Sequence, residues 1–258
     1  MYSFEDLKTF LDRSADQYNH STYIDDDPIQ IPHLFSKKED IEISGFLVSC
    51  IAWGQRKSII TSGLKMVKLL DNSPHDWILN SSEIETETVQ KFVHRTFNDF
   101  DFKFFVRSLR NIYLHHLGLE NVFSAPILGG KGVYDALLHF RKIFFEIPAP
   151  THTYKHIPDV SKGSAAKRMN MFLRWMVRSD TRKVDFGIWK NIPMSKLMMP
   201  LDVHCGNVAR KLGIITRKQN DWAALEEMMN ILRKMRPEDP VFYDYALFGL
   251  GVFEGFGK

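Results

Sequence analysis

The chain has 258 residues, 44% of them hydrophobic, with a formal net charge of +3, which is enough for one large domain or two modest lobes sharing a cleft. Its two cysteines, Cys50 and Cys205, exclude a disulfide scaffold and a four-cysteine zinc or iron–sulfur site within this chain, and they fit a reducing, cytoplasmic compartment. The acidic, amphipathic start does not have the character of a signal peptide, and the apolar runs are too short to span a membrane.

Helical spacing of apolar residues recurs along almost the whole chain, whereas period-two alternation is scarce. We therefore expect an all-α protein that forms one unit with two lobes, about 41–178 and about 1–40 plus 179–258. Helices are predicted, in chain order, near 4–17, 40–53, 56–70, 102–113, 131–146, 169–177, 203–212, 221–235 and 240–249. Loops are predicted at 18–38, 147–164 and 179–201.

Individual residues mark some of the predicted helix ends. Gly118 is expected to end the helix near 102–113. Asp239 is expected to cap the last helix, because Pro240 suits the first helical turn, and Gly249 is expected to stop it.

Charge is distributed unevenly. The first forty residues are acidic, whereas residues 162–183 carry seven Lys or Arg against the single Asp180. Such an excess favours a surface that faces a polyanion, although a solvated helix face would have the same composition. The expected DNA-facing residues are Lys162, Lys167, Arg168, and Arg174 or Arg178.

Asp202 follows Pro200-Leu201 and directly precedes a predicted helix that ends at Gly213. The free amides and the dipole at such a position favour a carboxylate, so an ordinary N-cap is one interpretation. The segment also resembles the proline-x-aspartate-x-histidine stretch of the helix-hairpin-helix-GPD superfamily of DNA glycosylases, including its arginine-x-leucine-glycine ending. That resemblance implies a two-lobed helical fold with a central cleft, and it implies that Asp202 is catalytic.

Lyase-active members of that superfamily also use a lysine at the start of the helix after the hairpin. Segment 157–168 resembles the leucine-proline-glycine-valine-glycine hairpin of that superfamily, but Asp159 and Ser161 stand where glycines of the hairpin are expected. Lys162 fits the hairpin register better. Lys167 fits the following helix better, and its spacing to Asp202 is similar to that in archaeal oxoguanine glycosylases. We favour Lys167 as the nucleophile and keep Lys162 as the alternative.

Further residues acquire a role through the resemblance. Gln55 follows Gly54 at a junction between helices, where these glycosylases probe the gap left by an extruded base. Residues expected to contact nucleic acid are Gln55, Lys162, Arg168, His204 and Arg95. Residues expected to line the base pocket are Trp189, Phe186 and Trp53, although Phe186 and Trp189 would equally serve to pin the loop before Asp202 onto the core.

The resemblance implies a monomeric base-excision repair glycosylase with AP-lyase activity, which acts on a flipped base in double-stranded DNA without a metal or organic cofactor. Two alternatives stay open: a nucleic-acid-binding protein that kept the fold and lost catalysis, and an enzyme acting on another nucleic acid or nucleoside. The chain as a whole more closely resembles an uncharacterised bacterial family classed as a domain of unknown function.

Overall fold

The computed structural model describes residues 2–89 and 91–256 of the chain. Within these ranges the protein is built almost entirely from helices and its strands form only one short antiparallel pair, which confirms the all-α prediction. The elements are α1 (Phe4–Tyr18), α2 (Lys38–Cys50), α3 (Arg56–Leu69), α4 (Pro74–Asn80), α5 (Glu83–Thr88), β1 (Val93–His94), β2 (Phe97–Asn98), α6 (Asp99–His115), α7 (Gly118–Leu128), α8 (Val133–Phe144), α9 (Lys167–Val177), α10 (Val203–Lys211), α11 (Trp222–Met235) and α12 (Tyr243–Val252). None of the helices in these ranges combines the length and the apolar character needed to cross a membrane.

Every segment predicted as a helix is helical, and the predicted loops contain only short 3-10 helices in their described residues. Three helices, α4, α5 and α7, were not predicted. Gly118 begins α7 and does not close the preceding helix, because α6 already ends at His115. Leu117, between the two helices, adopts the left-handed conformation with φ 61°, which turns the chain sharply there.

The chain divides into two compact units. The continuous unit comprises Ile24–Pro158, and the split unit comprises the residues up to Tyr23 together with those from Asp159 onward. The expected lobes put α1 with the C-terminal helices and α9 in the other lobe, whereas here both helices belong to the split unit. For α9 the reason is electrostatic, because Arg174 and Arg178 form buried ion pairs with carboxylates of the C-terminal segment.

The continuous unit has an aromatic core. Phe46 of α2 lies 5.9 Å from Phe105 of α6 and 5.5 Å from both Phe140 and Phe144 of α8, measured between ring centroids. All four rings are fully buried. Burial of aromatic area on this scale is a main source of stability for such a helical unit.

In the split unit, α1 packs along α12. Gly249 was expected to stop the last helix, but α12 continues to Val252. The glycine has a packing role instead, because a Cβ at this position would lie only 2.1 Å from Cδ2 of the Tyr18 ring. Only glycine lets the two helices approach this closely.

Candidate active site

Asp202 caps α10, as predicted. Its backbone is extended, with φ −112° and ψ −172°, and its Oδ1 accepts a hydrogen bond from the Cys205 N–H at 2.9 Å. The Asn220 side-chain amide donates to the Asp202 carbonyl at 2.9 Å, which fixes the backbone before the helix. The carboxylate is half-buried, so it is held in place and still reaches solvent.

Lys167 is the first residue of α9 and is half-buried. Ala166 before it takes a left-handed conformation with φ 48°, and the Ala166 N–H donates to the Ser164 hydroxyl at 3.2 Å. The Lys167 Nζ lies 3.8 Å from the Met171 sulfur, and it forms no ion pair within the described part of the chain.

Two fully buried groups connect the surroundings of Lys167 and Asp202. Cys205 has its Sγ 3.7 Å from Asp244 Oδ1, while its backbone N–H binds Asp202. Burial raises the pKa of the Cys205 thiol well above its usual value, and the charges of Asp202 and Asp244 raise it further, partly offset by Lys167. The thiol is therefore a stable hydrogen-bond donor between two carboxyl groups.

Asp244 is, with Asp202, the second of the two carboxyl groups near Cys205. Burial raises the pKa of Asp244 to about 6, against the positive charge of Arg174, and the negative charge of Asp202 adds to the increase. Lys167 acts on the same carboxyl group in the opposite direction. Lys167 and Asp202, which are distant in sequence, thus act electrostatically on the same two buried groups.

Behind Asp244 lies a network of buried charges. Arg174 and Arg178 have only 3% and 1% of their surface exposed, and both contact Asp185 at 3.1 Å. Arg174 also pairs with Asp244, and Arg178 pairs with Asp239 at 3.0 Å. The expectation that Arg174 or Arg178 faces DNA is therefore wrong, because both guanidinium groups are neutralised inside the split unit.

Asp239, which was expected to cap the last helix, pairs with Arg178 instead. It precedes the 3-10 helix Pro240–Phe242, but its side chain makes no capping hydrogen bond. Both of its carboxylate oxygens instead accept from the Arg178 guanidinium. Burying a guanidinium group without a partner costs free energy. The Asp239 carboxylate therefore pairs with Arg178 and does not cap the start of the helix.

The segment before α9, which resembles the hairpin in sequence, places Lys162 at the surface. Lys162 is exposed at the end of the 3-10 helix Val160–Lys162, with its Nζ 3.9 Å from Asp159 Oδ2. The Asp159 Oδ1 accepts from the Ser161 N–H at 3.1 Å. The Asp159 carboxylate thus occupies the backbone amide of Ser161.

The two aromatic residues predicted before Asp202 hold their loop to α9. Trp189 is 1% exposed, packs edge-to-face on Phe172 at 5.3 Å, and donates its backbone N–H to the Met176 carbonyl at 2.9 Å. Phe186 is half-buried, and its N–H donates to the Trp175 carbonyl at 2.8 Å. In this structure Trp189 is core and offers no face to a base, which is the second of the two roles considered for it.

Of the other predicted contacts in the split unit, His204 is exposed on the first turn of α10, with its ring 6.5 Å from Phe248. Arg168 is half-buried on the first turn of α9. Both side chains therefore lie at the same helix starts as Asp202 and Lys167.

The continuous unit brings together three other predicted residues. Gly54 has φ +106°, and a Cβ there would lie 3.0 Å from the Arg95 Nε, so the Arg95 side chain covers this glycine. Gln55 follows, exposed, at the N-cap position of α3, with no capping bond from its side chain. Trp53 precedes the glycine and packs edge-to-face on His94 at 5.3 Å.

Sequence reasoning missed a buried cluster next to these residues. Asp101 is fully buried and accepts from Thr153 at 2.7 Å and from His156 at 3.1 Å, while His152 lies 3.1 Å away. Burial alone would raise the pKa of Asp101, but hydrogen bonds from His156, Thr153 and the Asn98 N–H outweigh it, so the pKa lies below its usual value. The Asn98/Asp101 capping box was the available sequence signal, but it gives no hint of the histidines.

Comparison with known proteins places the chain in a family. A family model described as "Protein of unknown function (DUF2400)" matches residues 27–253. The chain belongs to this family. No curated protein and no solved structure matches the chain.

Membership of the DUF2400 family confirms the expected relation to an uncharacterised family. The match includes both Lys167 and Asp202 and also Gln55, whereas α1 lies outside it. The family description names no activity, so any role of these residues is argued from their chemistry. Within the described residues, no group of three or more His, Cys, Asp or Glu side chains is arranged to hold a metal ion.

Proposed function

We propose that this protein is a DNA base-excision glycosylase with AP-lyase activity, in which Lys167 is the nucleophile and Asp202 the catalytic carboxylate. The observation that carries the proposal is the shared electrostatic environment of the two residues. A half-buried amine without an ion pair and a carboxylate fixed at a helix start both act on Cys205 and Asp244. The resemblance to the helix-hairpin-helix-GPD superfamily supports the same assignment.

The chemistry follows from these two side chains. A base inside duplex DNA must first be flipped out of the stack to be reached. The neutral amine of Lys167 then attacks C1′ of the sugar, the glycosidic C1′–N bond breaks, and the base leaves with a proton. Positive charge that develops on the sugar is stabilised by the Asp202 carboxylate, which α10 holds in a fixed position. The sugar ring of the adduct then opens, because the C1′–O4′ bond breaks and O4′ takes up a proton, and this gives a Schiff base. β-Elimination from the Schiff base removes a C2′ proton, expels the 3′ phosphate and so breaks the strand on the 3′ side.

Borohydride trapping tests the proposal directly, because reduction of the Schiff base joins the protein covalently to DNA. We expect the wild-type chain to give a trapped adduct with duplexes that carry an abasic site or one of a panel of damaged bases. Lys167→Gln should eliminate the adduct and leave duplex binding largely intact. Lys162→Gln is the matched control, since it removes an exposed lysine from the same segment and should leave trapping unchanged.

Asp202→Asn gives the second part of this test. Asparagine caps a helix about as well as aspartate, so the free energy of unfolding of the variant should lie within about 1 kcal/mol of that of the wild type. Base excision should nevertheless be abolished, because the charge is lost. A variant that loses stability but keeps excision would make Asp202 a purely structural cap.

Other outcomes would replace the proposal. Trapping that persists in Lys167→Gln but vanishes in Lys162→Gln would move the nucleophile to Lys162. Duplex binding by the wild type with neither trapping nor excision on any substrate would make the protein a non-catalytic nucleic-acid-binding protein. The hydrogen bond from the Ser161 amide to Asp159 favours that alternative, since it removes a phosphate-binding group from the hairpin.

A further inference from the structure

Several of the seven cations between residues 162 and 183 are engaged in ion pairs. Arg174 and Arg178 are buried in ion pairs, and Arg182 pairs with Asp16 at 2.5 Å. Residues 162–183 therefore present far fewer free charges than their composition indicates. A polyanion-binding surface, if the protein has one, needs another source of positive charge.

Helix α3 of the continuous unit has that charge. The segment 51–70 contains no Asp or Glu, and α3 carries Lys57, Lys65 and Lys68, all of which are exposed. At 3.6 residues per turn these three positions fall on one side of the helix, within about 80° of one another. They extend over about 16 Å of its axis, at about 1.5 Å per residue.

The β1–β2 hairpin extends this surface. Lys91 and Arg95 are both exposed, and no Asp or Glu lies between Lys91 and Asn98. The Lys65 Nζ donates to the Lys91 carbonyl, which joins the hairpin to the side of α3. Arg95 lies over Gly54, directly before α3, so it adds a charge at the start of the helix.

We call these five residues the α3 basic face: Lys57, Lys65, Lys68, Lys91 and Arg95. In the part of the chain that the structure describes, none of the five forms an ion pair with a carboxylate. This distinguishes them from the buried or paired cations of residues 162–183. Unpaired cations that converge on one surface carry a repulsive energy that an anionic partner would relieve.

We propose that the α3 basic face binds the phosphate backbone of duplex DNA. The inference rests on the proposed function, and it adds a contact surface in the continuous unit, separate from the Lys167–Asp202 pair. Phosphate contacts of this kind position a protein on DNA without reading its sequence. Gln55, exposed beside Arg95, lies at one end of the face.

The composition of the face favours duplex DNA over two other anionic partners. A helix that lies in a membrane surface needs a broad free apolar side, but the apolar side of α3 is already packed, with Ile59, Met66 and Val67 buried. Single-stranded nucleic acid is generally bound by stacking bases on aromatic rings, and none of the five residues of the face is aromatic. Regularly placed cations without aromatic rings suit the phosphates of a duplex.

The test measures how duplex affinity depends on salt. The triple variant Lys57→Gln/Lys65→Gln/Lys68→Gln removes three charges of the face and leaves the buried side of α3 intact. Affinity for a duplex with a non-cleavable abasic analogue is measured by fluorescence anisotropy between about 50 and about 200 mM salt. Each lost phosphate contact lowers the slope of log affinity against log salt by about 0.9, so we expect a decrease of about 2 to 3.

A matched control comes from the same unit. Lys131, Lys142 and Lys155 are exposed on α8 and its flanking segments, and their triple substitution by glutamine makes the same change in net charge. We expect this variant to keep the wild-type slope apart from a small uniform effect. Equal losses in the two triple variants, or an unchanged slope in the α3 variant, would overturn the proposal.

Trapping and lipid binding separate the remaining outcomes. At low salt and high protein concentration, the α3 variant should still form the borohydride adduct of an abasic duplex, because its Lys167 and Asp202 are unchanged. A wild type that binds duplex with the expected slope but never gives an adduct would refute the proposed function and leave the face standing. Binding to phosphatidylcholine vesicles containing a quarter phosphatidylserine, without binding to duplex, would overturn the face as a DNA contact.

Discussion

Two aspartates in similar sequence contexts serve different purposes in this protein. Asp202 and Asp239 each lie near a proline at the start of a helix, and both were expected to be N-caps. Asp202 accepts from an amide of its own helix, whereas Asp239 accepts from Arg178. The difference arises from tertiary structure, because Arg178 is buried and needs its charge neutralised. The local sequence is compatible with a cap at both positions, so it does not reveal this difference.

The ionisation of Asp244 should make stability depend on pH. Its pKa of about 6 lies above the value of about 4 expected in the unfolded chain, so the folded state binds more protons between these values. The contribution of Asp244 to stability is therefore present below about pH 4 and is lost as the pH rises through about 6. We expect the free energy of unfolding of the wild type to fall by about 3 kcal/mol relative to that of Asp244→Asn over this range, measured by urea unfolding at several pH values.

Glu238→Gln is the control for that comparison, because Glu238 is exposed in the same unit. Its unfolding free energy should follow the wild type at every pH. Asp244→Asn will be less stable overall, since it weakens the pairing with Arg174. The informative quantity is how the difference in unfolding free energy between the wild type and Asp244→Asn changes with pH. Two curves that stay parallel across the pH range would contradict a raised pKa of Asp244.

At the scale of the elements, periodicity predicted most of the fold. The stripes of α6, α9 and α12 are long and regular, so their helices were predicted, and Asp202 was predicted as a cap from its position alone. The short α5 has a capping box of Ser82 and Glu85 that would have revealed it. The start of α7 has no such signal, since the left-handed Leu117 before it makes no side-chain cap bond.

The candidate site was less predictable than the helices. Lys167 and Asp202 were identified through a resemblance, but the groups around them were not, because Cys205 and Asp244 come from different helices that meet only in the folded chain. The basic stretch at 162–183 misled for the same reason. Composition records which residues are charged, whereas pairing depends on carboxylates far along the sequence.

Helix α9 should depend strongly on the buried ion pairs at its end. Arg178→Met would leave Asp239 buried without its ion-pair partner and Asp185 paired with Arg174 alone, and breaking a buried pair in this way typically costs about 3 to 5 kcal/mol. We expect a loss of that order in chemical unfolding followed by tryptophan fluorescence. Arg182→Met is the comparison, because Arg182 pairs with the exposed Asp16 and its loss should cost about 1 kcal/mol or less. Similar losses in the two variants would show that the buried network is not a major support of α9.

At the scale of the whole molecule, the two units differ in how far apart their parts lie in sequence. The continuous unit is built from one uninterrupted segment, Ile24–Pro158, whereas the split unit needs α1 to meet α12. Contacts between distant segments form slowly, because the entropy of closing the loop is lost before the contacts stabilise it. The order of folding should therefore follow the order of loop lengths.

Pulse-labelled hydrogen exchange during refolding can measure this order. We expect amides of α2 and α6 to become protected before those of α1 and α12. The amides of α1 and of α12 should become protected at the same time, since α1 packs on α12. Earlier protection of α1 than of α2 would contradict this order.

The pairing of α1 with α12 also has a consequence during synthesis on the ribosome. Leu7, Leu11 and Ala15 of α1 are buried in the folded protein, yet α12, along which α1 packs, is translated only after residues 19–242. While residues 19–242 are synthesised, the nascent chain must therefore carry an uncovered apolar helix, although the continuous unit can already form from the residues that follow it. A truncated translation product that lacks α12 would keep that helix exposed, and exposed apolar surface of this kind is what chaperones and proteases recognise.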